Sequence, residues 1–211
     1  MPTVEQVLLG LSEIANNWRP LAVFWHAYFA ALVIVLILGI RPSKRLAGLL
    51  LGLPLFSVSI VAWAASNPFN AIIYTVISIL FIYFSARLPR ENVRIAPAWI
   101  MIPGGILFLF GWVYPHFLDT SSLLPYLCSA PIGLIPCATL TIVIGLFLIL
   151  NGLSSRALSL ILGLSGLFYG ITGVWQLGVS IDWALLLGTV ITLIAAFTWF
   201  APYDRRKTRQ N

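Results

Sequence analysis

His26, His116, Cys128 and Cys137 are the only histidines and cysteines in the chain, and all four fall in the predicted outward half of its apolar segments. Imidazole and thiolate gathered at one depth form a ligand set for copper or zinc. Their spacings match no metal signature such as CxxC or HxxxH, so a metal centre competes with plainer fates. Cys128 and Cys137 face a compartment where a disulfide would persist, or they remain free thiols acting as small apolar groups. Without a CxxC pair a redox relay is disfavoured. His26, inside an apolar segment, is either hydrogen-bonded to a neighbouring helix or functional, as ionisable groups within a span are by default.

Two further features bear on a site. Pro103-Gly104-Gly105 interrupts an apolar segment, and proline there removes a backbone donor near the carbonyl of Trp99. Such a break is either a packed kink or a coordinating gap, since free backbone groups at membrane depth need protein or cavity water. Gly163-Leu164-Ser165-Gly166 resembles the GxSG of rhomboid intramembrane proteases. That chemistry needs a histidine to take the serine proton, and none follows Ser165. The protease reading fails on that count. A ligand site in the outer half would therefore draw on His26, Pro136, Cys137 and Thr139 with the Pro103-Gly104 break.

Other reactions lack their residues. The lysines, Lys44 and Lys207, both sit in predicted cytoplasmic segments, so no retinal-type Schiff base forms within a helix. There is no phosphate-binding loop, dinucleotide fingerprint or carboxylate pair. All six acidic residues map to predicted loops or helix ends, which disfavours a transporter that moves protons on a buried carboxylate. No motif names a cofactor, and no reaction is assigned; the residues speak against an enzyme more than for one.

The elements that must position these groups follow from composition and charge. Of the 211 residues 60% are hydrophobic and 9% charged, too few charges to build a water-facing surface. Seven segments meet or approach the roughly 20 apolar residues of a membrane span: Pro20–Ile40, Leu46–Ser66, Phe69–Ala86, Ile95–His116, Pro131–Leu150, Arg156–Trp175 and Ile181–Ala201. Eleven of the twelve Lys and Arg residues occupy alternate gaps. These are Arg41, Lys44 and Arg45; Arg87, Arg90 and Arg94; Arg156; and Arg205, Arg206, Lys207 and Arg209. By the positive-inside rule those gaps are cytoplasmic, which puts the N-terminus outside and the C-terminus inside. Trp18, Trp25, Trp63, Trp112, Trp175 and Trp183 fall at predicted outer ends, Trp99 and Trp199 nearer inner ends, as an interfacial aromatic belt requires. The net charge of +6 is spread over short loops facing anionic lipid rather than gathered in a patch, which argues against nucleic acid.

Three regions follow: an interfacial helix in residues 1–19, a membrane domain in 20–201, and a basic cytoplasmic tail in 202–211. Thr3 and Gln6 form a capping box, and Val4, Val7, Leu8, Leu11, Ile14, Ala15 and Trp18 recur on one helical face. That helix either braces the first span on the outer surface or plugs an opening there. Residues 117–130 are too apolar for an ordinary loop, and Pro125 and Pro131 bar one continuous helix. Ser159, Gly163, Gly166, Gly170 and Gly173 form a small-residue stripe on one helix face, which lets a neighbouring backbone approach closely. Residues 36–63 align without gaps on 148–175, with identities including Ser43/Ser155, Leu46/Leu158 and Trp63/Trp175. The match reads either as parallel halves of three helices joined by a fourth, a 3+1+3 repeat, or as coincidence in a biased alphabet.

Gly133-Leu134-Ile135-Pro136-Cys137-Ala138-Thr139 resembles the Pro-Cys-Pro-Thr signature of a bacterial multi-pass membrane-protein family of unknown function. Thr3-Val4-Glu5-Gln6-Val7 is similar to that family's amino-terminal Thr-x-Glu-Gln-Phe motif. Trp18 with Pro20, Asn67-Pro68 and Tyr114-Pro115 fall at further family positions. Ala138 departs from the second proline, and Arg19 separates a Trp and a Pro that usually adjoin. The resemblance implies a membrane topology and no activity. The expectation is therefore an all-α integral protein of the bacterial inner membrane, a small transporter-like or ligand-binding bundle with its site in the outer half. The alternative is a structural or accessory subunit packed in a homo-oligomer or larger membrane complex. A metal- or redox-active membrane protein comes third.

Overall fold

Thr3 opens the first helix as its sequence requires: its hydroxyl accepts from the Gln6 amide while the Gln6 side chain accepts from the Thr3 amide. The computed structural model describes residues 3–199, and among them the regular structure is helical, with no strand. The expected basic tail, 202–211, and the end of the last expected span lie outside the described residues.

The described residues form nine α-helices: α1 (Val4–Asn17), α2 (Arg19–Ile37), α3 (Lys44–Ala64), α4 (Pro68–Ala86), α5 (Ala98–Val113), α6 (Tyr126–Ser129), α7 (Pro136–Ile149), α8 (Arg156–Ile171) and α9 (Trp183–Thr198). Their starts follow local chemistry. Ser43, Asn67 and Ser155 accept from the amides of Leu46, Asn70 and Leu158, and Pro20, Pro68 and Pro136 occupy first turns where no backbone donor is missed.

Among the described residues five helical stretches are long and apolar enough to cross a membrane: Arg19–Ile37, Lys44–Ala64, Pro68–Ala86, Arg156–Gln176 and Ser180–Thr198. The two remaining expected segments form shorter helices, 16 residues in α5 and 14 in α7. Residues 131–135 drop out of the latter because Gly133 has φ +72° and Pro136 restarts the helix. The Arg156–Trp175 segment matches α8 followed by a π-helical turn, Thr172–Gln176.

Three antiparallel pairs, α3 with α4, α5 with α7 and α8 with α9, make most of the bundle. The centre is α7, in which every residue from Pro136 to Leu148 is buried. A helix apolar on all sides belongs inside, and this one is enclosed by α3, α5, α8 and α9. Its approach to α5 is backbone on backbone. A methyl built on Gly145 would lie 2.7 Å from Phe108 Cα, and one built on Gly111 would lie 2.8 Å from Ile142 Cα.

One end of the bundle carries the basic loops. There the Lys44 and Val93 amides donate to Glu91 and Pro42 carbonyls, the Ala96 amide donates to Ile149, and Lys44 Nζ lies 3.0 Å from Glu91 Oε2. That ion pair holds the Glu91 carboxyl below its ordinary range. Trp99 and Trp199 meet edge to face near this end; Trp175 and Trp183 meet at the other.

The opposite end is capped by α1 and the segment leading to α6. Ser12 and Asn16 donate to the Phe117 carbonyl, Asp119 donates its amide to Asn16, and Arg19 Nε donates to Ser129 Oγ. The Tyr126 hydroxyl folds the segment onto itself by bonding the amide and carbonyl of Leu118. Residues 117–130 are thus an ordered cap rather than a solvated loop.

Candidate functional site

The residues singled out for chemistry do not form one cluster. His26 is buried on α2, with Nδ1 2.8 Å from the Ala22 carbonyl and Nε2 3.0 Å from the Trp112 carbonyl. Both ring nitrogens are occupied by protein acceptors, so neither is free for a metal. A neutral imidazole donates to one of these carbonyls and an imidazolium donates to both. His116 is half-buried in the cap against Phe117, and burial lowers its pKa below the ordinary histidine value. Cys128 is exposed and Cys137 buried, both as free thiols. Among the described residues no three His, Cys, Asp or Glu side chains come together, which removes the support for a metal set of His26, His116, Cys128 and Cys137. The disulfide alternative is not formed.

The Pro103-Gly104 element is also elsewhere. The helix runs through Pro103 without a break. Gly104 faces Leu148 and the Gly145 carbonyl, near the C-terminal end of α7, whereas Cys137 stands at its N-terminal end. Eleven residues at 1.5 Å each separate Cys137 from Leu148 by about 16 Å. Gly104 is therefore part of the α5–α7 crossing and lies far from an outer-half site. Pro136 and Thr139 serve the entry of α7. The Thr139 hydroxyl donates to the Ile135 carbonyl and accepts from the Gly133 amide, and the Pro136 carbonyl accepts from Tyr74. Gly133 lies under the Trp25 indole, which leaves no room for a side chain, and Trp25 itself donates to Ser57 on α3.

The glycine stripe of α8 faces α9. Methyls built on Gly163 and Gly170 would meet Leu193 and Leu186 at 2.5 and 2.7 Å, and Gly166 lies against Thr189. Ser159 bonds back to the Ser155 carbonyl. Gly173, in the π-helical turn, abuts the Asp182 carboxylate.

Asp182 is the group that sequence reasoning passed over. It closes a 3-10 turn, Ser180–Asp182, before α9, at a helix end as expected, yet only 1% of it is exposed. Tyr114, at the end of α5, donates its hydroxyl to Asp182 Oδ1 at 2.6 Å. The Cys137 thiol borders the same carboxylate and lies 3.9 Å from the Tyr169 carbonyl. The Tyr169 hydroxyl donates to Asn70 on α4, and the Tyr74 and Tyr169 rings pack 5.4 Å apart. The end of α5, the start of α7 and the π-helical turn thus converge on a buried carboxylate, with Tyr169 of α8 and Asn70 and Tyr74 of α4 in the layer behind. Of the residues expected to bind a ligand or metal, only Cys137 belongs to it, and of the glycine stripe only Gly173 touches it. The available signal was Tyr114 and Asp182 flanking predicted outer ends beside the glycine stripe.

Asp182 makes no ion pair among the described residues. A buried carboxylate without a cation is costly unless it binds a proton or an incoming cation, or is well hydrogen-bonded. The π turn packed on it is a further mark, since such turns concentrate at functional positions. The chemistry on offer is reversible proton or cation binding by one carboxyl, supported by a phenol and a thiol. Comparisons with protein-family models, curated proteins and solved structures find no match to this chain.

Proposed function

We propose that the protein is a small transporter-like or ligand-binding membrane bundle whose outer-half site is centred on Asp182. The carrying observation is the 1% exposed carboxylate held by Tyr114 and bordered by Cys137, with no basic side chain paired to it among the described residues. Proton or cation uptake at Asp182 is the coupling event in this reading. The placement of the acidic residues at loops and helix ends disfavours such a device, but Asp182 is buried at its helix end and a single carboxyl is enough for it.

The topology proposed with it is seven crossings in the bacterial inner membrane, N-terminus outside. Support comes from the gathering of basic loops at one end and from α5 and α7 running antiparallel within the bundle. For the repeat, Ser43 and Ser155, equivalent in the internal alignment, both cap the helix that follows. Kinship with the Pro-Cys-Pro-Thr family belongs to the same proposal, resting on the motifs alone.

Infrared titration tests the site. Wild-type protein in lipid shows a protonated carboxyl band that fades as pH rises, and Asp182→Asn lacks it. A carboxylate that stays ionised throughout the acid-to-neutral range, or a band untouched by D182N, overturns the reading.

A second reading, an accessory subunit, draws on Leu123 and Leu124 in the cap, exposed at 67% and 73%. Exposed apolar groups beyond the spans suit contact with another membrane protein. Native mass measurement in mild detergent separates the two: a stable hetero-complex favours the subunit, a monomer or homodimer the free-standing bundle.

A further inference from the structure

Asp182 is sealed rather than open. Tyr114 occupies Oδ1 at 2.6 Å, and Gly173 in the π-helical turn abuts Oδ2 so closely that a methyl built on it would overlap the oxygen. Facing the carboxylate are the Tyr114 phenol from α5 and the Cys137 thiol from α7, with Tyr169 of α8 and Tyr74 of α4 behind. His116, two residues beyond Tyr114, packs on Phe117 in the cap instead, and no basic side chain among the described residues pairs with Asp182.

That surrounding suits a proton and no metal ion. Calcium and magnesium gather about six or more oxygen ligands, calcium at roughly 2.3–2.6 Å. Zinc takes about four nitrogen, sulfur or oxygen ligands. Here the nearest groups are a phenol and a thiol, which present hydrogens to the carboxylate and so repel a cation placed between them. Among the described residues no third His, Cys, Asp or Glu completes a ligand set. A metal ion would have to lever Tyr114 or Gly173 away, whereas a proton needs neither a ligand shell nor space.

The thiol has a second acceptor. Cys137 Sγ lies 3.9 Å from the Tyr169 carbonyl of α8, three residues before the π-helical turn. It carries one hydrogen, and hydrogen bonds to an ionised acceptor are roughly twice as strong as those to a neutral one. The carboxylate therefore wins while Asp182 is charged. Protonation of Asp182 removes that advantage, and the carbonyl takes the thiol. The S–H bond stays intact throughout; only its partner changes.

Taking Asp182 as the working group of the proposed bundle, we infer that its site takes up a proton to the exclusion of metal cations, and that Cys137 reports its charge state to α8 by exchanging the carboxylate for the Tyr169 carbonyl. Tyr169 extends the link, since its hydroxyl donates to Asn70 on α4.

Infrared titration of the full chain in lipid vesicles, with Cys128→Ser so that one thiol remains, reads both groups at once. The Cys137 S–H stretch shifts over the same pH range in which the Asp182 carboxyl band fades. Both midpoints hold when sodium replaces choline at constant ionic strength, and when calcium or zinc is added. Cys137→Ala assigns the S–H band, and Asp182→Asn fixes it at one frequency at every pH. A cation competing with the proton would pull the midpoint down by about one pH unit for each tenfold rise in its concentration. Such a drift overturns the proton selectivity while sparing Asp182 as the working carboxyl. An S–H band that stays still while the carboxyl titrates overturns the relay. A carboxyl that never takes a proton sinks the Asp182 reading itself, and the proton site and relay with it.

Discussion

Replacing Gly145 with alanine tests how the centre of the bundle is held. The added methyl would sit 2.7 Å from Phe108 Cα and 2.8 Å from the Gly104 carbonyl oxygen, closer still to the Phe108 amide. Carbon–carbon contact is comfortable at roughly 3.5–4.0 Å, so α5 and α7 must separate by about 1 Å. No flexible side chain can yield, because the obstructing atoms are backbone. A gap of that size forfeits a quarter to a half of each dispersion contact along the crossing, and overpacking of this kind costs about 1–3 kcal/mol. Alanine's better helix propensity returns at most about 1 kcal/mol, leaving a net loss of roughly 1–2 kcal/mol. Gly105 is the control, since a methyl there meets nothing within 4 Å. G105A keeps only the propensity gain. The assay is reversible unfolding in mixed micelles followed by tryptophan fluorescence. If G145A proved as stable as G105A, backbone contact between α5 and α7 would not be what holds α7 in place.

Tyr114→Phe strips the Asp182 carboxylate of its hydroxyl donor, and a buried acceptor left unpaired costs about 1–3 kcal/mol in the same unfolding assay; D182N, which keeps an acceptor for Tyr114, loses less. In folded protein a maleimide labels Cys128 promptly, while Cys137 reacts only after unfolding; mass spectrometry of labelled peptides reads both. Gly133→Ala puts a side chain against the Trp25 ring at φ +72°, and the resulting loss of order around Trp25 shows as a shift in tryptophan emission with a lower unfolding midpoint. For His116 the folded pKa lies below the unfolded value, so the neutral form suits the fold. Stability is then full above the unfolded value of about 6.5 and declines as pH falls through it. His116→Gln flattens that acid slope in a thermal-shift pH series.

The helices themselves were legible because membrane spans announce themselves by length and apolarity, and their starts by Ser43, Asn67, Ser155 and proline. What one dimension hid was depth within the bundle. Nothing local distinguishes Pro136–Leu148, sheathed all round, from α2, much of which faces outward, since both read as apolar runs. The candidate site suffered from the same blindness. Asp182 sits at a helix end, where a charge is ordinarily solvated, and only the folding of α5 and α8 over it makes it buried. Histidine and cysteine drew attention by type, yet His26 ties α2 to α5, and of that set only Cys137 reaches the carboxylate. Gly104 looked like part of a helix break until its neighbour Gly145 was known, because the two meet across 41 positions of chain.

At about 21 Å, α7 falls well short of a hydrocarbon layer roughly 30 Å thick, yet it suffers no mismatch because its surroundings are other helices. Adaptation to a thinner or thicker bilayer therefore rests with the periphery, α2 above all, much of which faces outward. Membranes of differing thickness would thus splay or close the outer ring while the central post keeps its register, leaving the buried carboxylate insulated from changes in lipid composition.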